Sequence, residues 1–177
     1  MSILGVLGAG AMGTGIAQVA ATNGWEVRLS DINEEAVVHS RNKLQKILNR
    51  QVEKGRMTDL EVKTIMGRIY FGSSLSSFEG SDMVIEAIVE NLEIKKKVFQ
   101  EIETIVGESC ILATNTSSLP VTAIAAAVQY PGRVLGIHFF NPAPLMKLVE
   151  IIPAVQSDEV IVAKAQKIID DWGDAYL

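Results

Sequence analysis

A glycine triplet at the end of a short apolar run, Gly8-Ala9-Gly10-Ala11-Met12-Gly13, constrains this chain more than any other feature. Ile3–Leu7 before it reads as a buried strand. Ala11–Asn23 after it reads as a helix, stopped by Asn23-Gly24. G-x-G-x-x-G between a strand and a helix is the turn that opens a dinucleotide-binding unit. Gly8 permits the tight turn, Gly10 lets a pyrophosphate approach the backbone, and Gly13 lets the helix pack closely. The free N–H groups of Ala11, Met12 and Gly13 and the positive end of the helix dipole face the phosphates. Asp31 closes the second strand, Trp25–Ser30, 18 residues beyond Gly13. A carboxylate there accepts hydrogen bonds from both ribose hydroxyls and repels a 2′-phosphate, which selects NAD over NADP. Ile32-Asn33-Glu34-Glu35 offers no arginine for that phosphate.

Further apolar runs follow at Arg68–Phe71, Met83–Ile88, Ile111–Thr114, Val134–Phe139 and Val149–Ile152. Helical patterns fall between and after them at Leu92–Val106, Pro120–Val128 and Glu159–Trp172. The runs do not alternate with polar residues, so both faces of each strand are expected to be buried. Strands alternating with helices predict an α/β fold with a doubly wound, mostly parallel sheet. One connection is too long for a single crossover: 36 residues separate Asp31 from Arg68. Asn33–Lys54 reads as one helix with Asn33 as N-cap and Gly55 as terminator. Thr58-Asp59-Leu60-Glu61 has the form of a capping box opening another. A helical pair is therefore expected between the second and third strands.

Composition narrows the function. The chain has 177 residues, 48% of them hydrophobic and 21% charged, which excludes disorder and suits one domain over 1–177. Its net charge of −5 argues against a nucleic-acid partner, which needs a basic face. No apolar run approaches the roughly 18–20 residues of a membrane span, and no signal-peptide pattern opens the chain, so a cytoplasmic setting is expected. The single cysteine, Cys110, reads as a small buried hydrophobe, and no Cys/His pattern suggests a metal.

Open α/β sheets bind ligands beyond the carboxyl ends of their strands. Polar residues crowd three of those ends: Glu86–Asn91, Thr114–Ser118, and His138 with Asn141. His138 ends an apolar strand, and Glu150 follows twelve residues later. The other histidine, His39, reads as a surface residue, and Lys95-Lys96-Lys97 reads mostly as a solvated face. Lys43, Lys46, Arg50 and Lys54 share one face of the long helix. That stripe is either an ordinary solvated face or a seat for phosphates.

These segments resemble the NAD-binding domain of the L-3-hydroxyacyl-CoA dehydrogenases. The likeness rests on GAGAMGTGIA at Gly8–Ala17, VIEAIVENLEIKKKVF at Val84–Phe99, ATNTSSLPVTAIA at Ala113–Ala125 and GIHFFNPAPLMKLVEII at Gly136–Ile152. It implies a Rossmann-type fold, NAD as cofactor and an acyl-CoA substrate. The reaction it implies is reversible oxidation of a 3-hydroxyacyl-CoA to the 3-ketoacyl-CoA. By matched position, His138 would be the general acid/base and Glu150 its carboxylate partner. Ser117 and Asn141 would act near the substrate oxygen and the nicotinamide. Glu90 and Lys95 would line the cofactor site, and Lys54 would approach coenzyme A. The resemblance also implies an all-helical second domain beyond these 177 residues, which completes the substrate site and forms a homodimer. Turnover by the first domain alone is expected to be poor. The competing reading is a non-catalytic, crystallin-like relative that kept the fold.

Overall fold

A computed structural model of the chain describes residues 1–173 and the backbone of 175–176. The strands are β1 Ile3–Leu7, β2 Glu26–Ser30, β3 Ile69–Gly72, β4 Met83–Glu86, β5 Ile111–Thr114, β6 Val134–Phe139, β7 Leu148–Pro153 and the two-residue β8, Ala175–Tyr176. The helices are α1 Ala11–Thr22, α2 Glu34–Glu53, α3 Asp59–Gly67, α4 Leu92–Glu103, α5 Val121–Ala125 and α6 Glu159–Asp171. The sheet order is β3-β2-β1-β4-β5-β6-β7-β8. β1 lies between β2 and β4, so the order reverses there and opens a crevice at the carboxyl ends of β1 and β4.

The expected α/β architecture is present, with the helical pair inserted between β2 and β3. Asn33 caps α2 by accepting from the N–H groups of Glu35 and Ala36, and Gly55 follows the helix with φ +66°. Both bonds of the capping box at Thr58 and Glu61 open α3. They act on an exposed carboxyl. The Glu61 group lies below its usual range, chiefly through the Thr58 backbone N–H and then its hydroxyl. Leu44 and Leu48 of α2 and Val62 and Ile65 of α3 turn inward and join the core that β1, β2 and α1 share.

Several boundaries differ from expectation, and one strand pair runs antiparallel within the mostly parallel sheet. β4 stops at Glu86 rather than Ile88, because residues 87–89 leave the sheet to wall the crevice. α4 ends at Glu103 and α5 spans only Val121–Ala125. β7 runs antiparallel to β6 while the other paired strands run parallel. The link Phe140–Lys147 is too short for the crossover that a parallel return requires. Among the described residues, no helix is long and apolar enough to cross a membrane.

Candidate active site

The glycine loop closes on itself. Gly8 has φ +110°, and a Cβ there would lie 2.5 Å from the Ala87 carbonyl oxygen. A Cβ on Gly13 would lie 1.9 Å from the Gly8 carbonyl oxygen, so the constraint there is the loop's own backbone as well as the strand. A Cβ on Gly10 would meet nothing within 4 Å. Two glycines thus allow the turn, and the third faces open space. No side chain caps α1, which leaves its first N–H groups, at Ala11, Met12 and Gly13, free for an anion. This cradle fits a dinucleotide pyrophosphate.

A groove of about 700 Å³ extends from Gly10 past Asp31, with Leu75, Ile88 and Ile94 among its apolar walls. Asp31 is built into the loop. Its Oδ2 accepts from Ala9 N at 2.8 Å, and its Oδ1 accepts from Asn33 N at 2.9 Å. The carboxylate is therefore oriented before any ribose reaches it, with lone pairs left over for hydroxyls.

A second cavity, about 340 Å³, is lined by Met12, Glu90, Asn115, Ser117, His138 and Asn141. Its residues Met12 and Glu90 follow Gly10 and Val89 of the groove closely in the chain. His138 and Glu150 are register partners across β6 and β7, and His138 Nδ1 lies 2.6 Å from Glu150 Oε2. A carboxylate oxygen only accepts, so Nδ1–H donates to Glu150 Oε2 and Nε2 is the nitrogen left to exchange protons with a ligand. The Phe140 ring, with its centroid 4.9 Å from that of the imidazole, backs the pair.

Glu90 is held from three sides. Thr116 and Ser118 donate hydroxyl bonds to its Oε1, and Lys95 Nζ lies 3.4 Å from its Oε2. Partial burial pushes the Glu90 carboxyl up. The Thr116 bond, the Lys95 charge and bond, and the Ser118 bond together outweigh that, leaving it below the usual carboxylate range.

Lys95 is not where the sequence reading placed it. Lys95-Lys96-Lys97 was read mostly as a solvated face, yet the Lys95 side chain has no exposed surface. Its ammonium donates to Glu86 Oε1 at 2.5 Å. Glu86 is equally buried, and it also accepts from Ile88 N at 2.7 Å and from the Thr114 hydroxyl at 2.8 Å. Lys95 reaches the cavity only through Glu90. The reason is that α4 turns this lysine inward, towards the end of β4, while Lys96 and Lys97 remain accessible. The structure brings together Met12, Glu90, Ser117, His138 and Asn141, with Glu150 behind the imidazole. It does not bring Lys54 into either cavity: this residue is exposed at the end of α2.

Sequence reasoning gave three residues no role of their own. Glu86 was named only as one of the polar residues at a strand end. Asn115 and Thr116 were visible beside Ser117 but carried no signal of their own. Cys110 is buried as expected, and that burial pushes its thiol up to about 12, which makes it a poor nucleophile.

Residues 3–175 match the family described as 3-hydroxyacyl-CoA dehydrogenase, NAD binding domain. The chain is 46% identical over 168 residues to a protein of Bacillus subtilis named "Probable 3-hydroxybutyryl-CoA dehydrogenase", covering 95% of this chain and 58% of that one. It is 39% identical to 3-hydroxybutyryl-CoA dehydrogenase of Mycobacterium tuberculosis, covering 93% and 58%. The crystal structure of (S)-3-hydroxybutyryl-CoA dehydrogenase from Ralstonia eutropha superposes with a TM-score of 0.96 at 36% identity, covering all of this chain and 62% of that one. The chain thus spans about three-fifths of these relatives' length. It belongs to the 3-hydroxyacyl-CoA dehydrogenase family and corresponds to that family's NAD-binding domain.

Proposed function

We propose that this chain is the cofactor-binding part of an enzyme that reversibly oxidises L-3-hydroxyacyl-CoA to 3-ketoacyl-CoA. The observation that carries this reading is the His138–Glu150 pair, at 2.6 Å, in a cavity that Met12 and Glu90 line together with His138. Bound NAD would supply the hydride acceptor. His138 Nε2 takes the hydroxyl proton of the substrate, and Glu150 fixes the tautomer and balances the imidazolium that forms. In the reverse direction the imidazolium returns that proton to the ketone oxygen. Ser117 and Asn141 hold the substrate oxygen and the nicotinamide in place. Glu90 orients the cofactor, with Lys95 acting through it.

The same reading gives Lys54, at the end of a basic helix face, to the phosphates of coenzyme A. It places the all-helical second domain, the homodimer and the cytoplasmic setting with the complete protein. The resemblance supports Lys54, the second domain and the homodimer, and the three-fifths coverage of the relatives fits a further domain in the complete protein. The test is an assay of 3-hydroxybutyryl-CoA with NAD, following NADH formation by a protein that includes this domain. NADH formation that depends on both substrates is expected. NAD binding without any turnover of acyl-CoA would favour the non-catalytic reading instead.

A further inference from the structure

Asn115 follows β5 and touches both neighbouring strand ends. Its backbone N–H donates to the Glu86 carbonyl oxygen at 2.8 Å. Its side-chain Oδ1 accepts from Phe139 N at 2.8 Å, beside His138. The last paired residues of β5 and β6 are Thr114 and Gly136, so this bond extends the contact between the two strands past the end of their ladder.

That bond also settles the direction of the amide. A backbone N–H needs an acceptor, so the atom facing Phe139 is the oxygen, and the NH2 group points the other way. Asn115 lines the cavity of His138, Ser117 and Glu90. Its Nδ2 makes no hydrogen bond among the described residues, and it is not among the buried side-chain atoms left without a partner. The cavity therefore contains a fixed donor. It also contains a fixed acceptor, the Glu90 carboxylate, bonded by the hydroxyl of Thr116, the residue after Asn115.

A donor and an acceptor lining one cavity match a primary carboxamide, which presents one carbonyl oxygen and one NH2 group. A ketone or thioester presents acceptors only, and the Glu90 carboxylate would repel it. We propose that Asn115 Nδ2 binds the carbonyl oxygen of the nicotinamide carboxamide while Glu90 takes its NH2 group. Asn115 is then a further cofactor-contacting residue, and it fixes which way the carboxamide points. This rests on the NAD reading above.

The experiment is calorimetric titration of the 177-residue chain with NAD and with its 3-acetylpyridine analogue, which keeps the carbonyl and lacks the NH2 group. N115D keeps an acceptor for Phe139 N and removes the donor; protection of the Phe139 amide from hydrogen exchange checks that the fold holds. N115D should weaken NAD and the analogue alike, by at least the three- to tenfold that about one neutral hydrogen bond is worth. E90Q should weaken NAD more than the analogue. N115S, which adds no charge, repeats the measurement if N115D does not fold. Wild-type affinity in these Asn115 variants, or a loss confined to NAD, overturns the assignment. A wild-type chain that binds neither dinucleotide overturns the cofactor reading itself.

Discussion

His138 and Glu150 occupy one register position of the antiparallel pair β6–β7, so an acid–base unit is set by strand pairing rather than by a loop. Its neighbours in the register, Phe139 with Val149 and Ile137 with Ile151, are buried on both strands. The imidazole and its carboxylate are therefore held by the same packing that holds the sheet.

His138→Gln, in a protein that includes the rest of the enzyme, should lower kcat by ~10²–10⁴, the usual contribution of a positioned acid/base. NAD affinity should stay near wild type. Glu150→Gln should lower kcat as well, through the lost partner of Nδ1. Steady-state kinetics beside calorimetric NAD titration reads both, and an unchanged kcat in H138Q would remove His138 from the chemistry.

Asp31 should make the chain prefer NAD to NADP, since its carboxylate stands beside the groove with both oxygens already oriented by backbone N–H groups. Titration with each cofactor is the check. Equal or tighter NADP binding would contradict this role for Asp31.

The buried pair Glu86–Lys95 should behave asymmetrically. Lys95→Met alone leaves a carboxylate buried without its cation and should destabilise the fold by ~3–5 kcal/mol. Glu86→Gln combined with Lys95→Met removes both charges and should restore much of that loss. Denaturant unfolding of the two variants separates the cases; equal losses would mean that the charges are not energetically coupled.

The Glu90 carboxyl lies below its usual value of 4.5 in the folded chain. A lowered carboxyl stabilises the fold above the unfolded value, and that contribution fades as pH falls through the folded one. The stability gap between wild type and Glu90→Gln should therefore be full near neutral pH and close only below about pH 4.5. Thermal melts across that range read it, and a gap that widened on acidification would reverse the sign.

Assayed alone, the 177 residues should bind NAD yet reduce acetoacetyl-CoA with NADH far more slowly than a protein that includes the relatives' remaining two-fifths. Misplacing a substrate by about 1 Å can cost on the order of 10² in rate. Comparable kcat/KM values would show that this stretch carries a complete active site.

The glycine loop, Asp31 and the strand–helix alternation were legible because each is a local pattern whose residue types have few alternatives. His138 and Glu150 were legible as a pair only through resemblance. Twelve residues of separation says nothing about register until the direction of β7 is known, and that depends on a link too short to cross over. The burial of Lys95 was illegible for a different reason. Three consecutive lysines look solvated, and only the rotation of α4 against the end of β4 decides which of them turns inward. Asn115 and Thr116 precede the more conspicuous Ser117, and their roles appear only when β4 and β6 are placed beside β5.

Strand side chains alternate between faces with a period of two. A slip of one residue in the pairing of β6 with β7 would bring Val149 or Ile151 opposite the imidazole and turn Glu150 to the other side. The register of the two strands is thus as much a part of the acid–base unit as the two side chains it aligns. A homologue whose pairing slipped by one residue would need a compensating bulge in β6 or β7, or would keep every named residue and lose the chemistry.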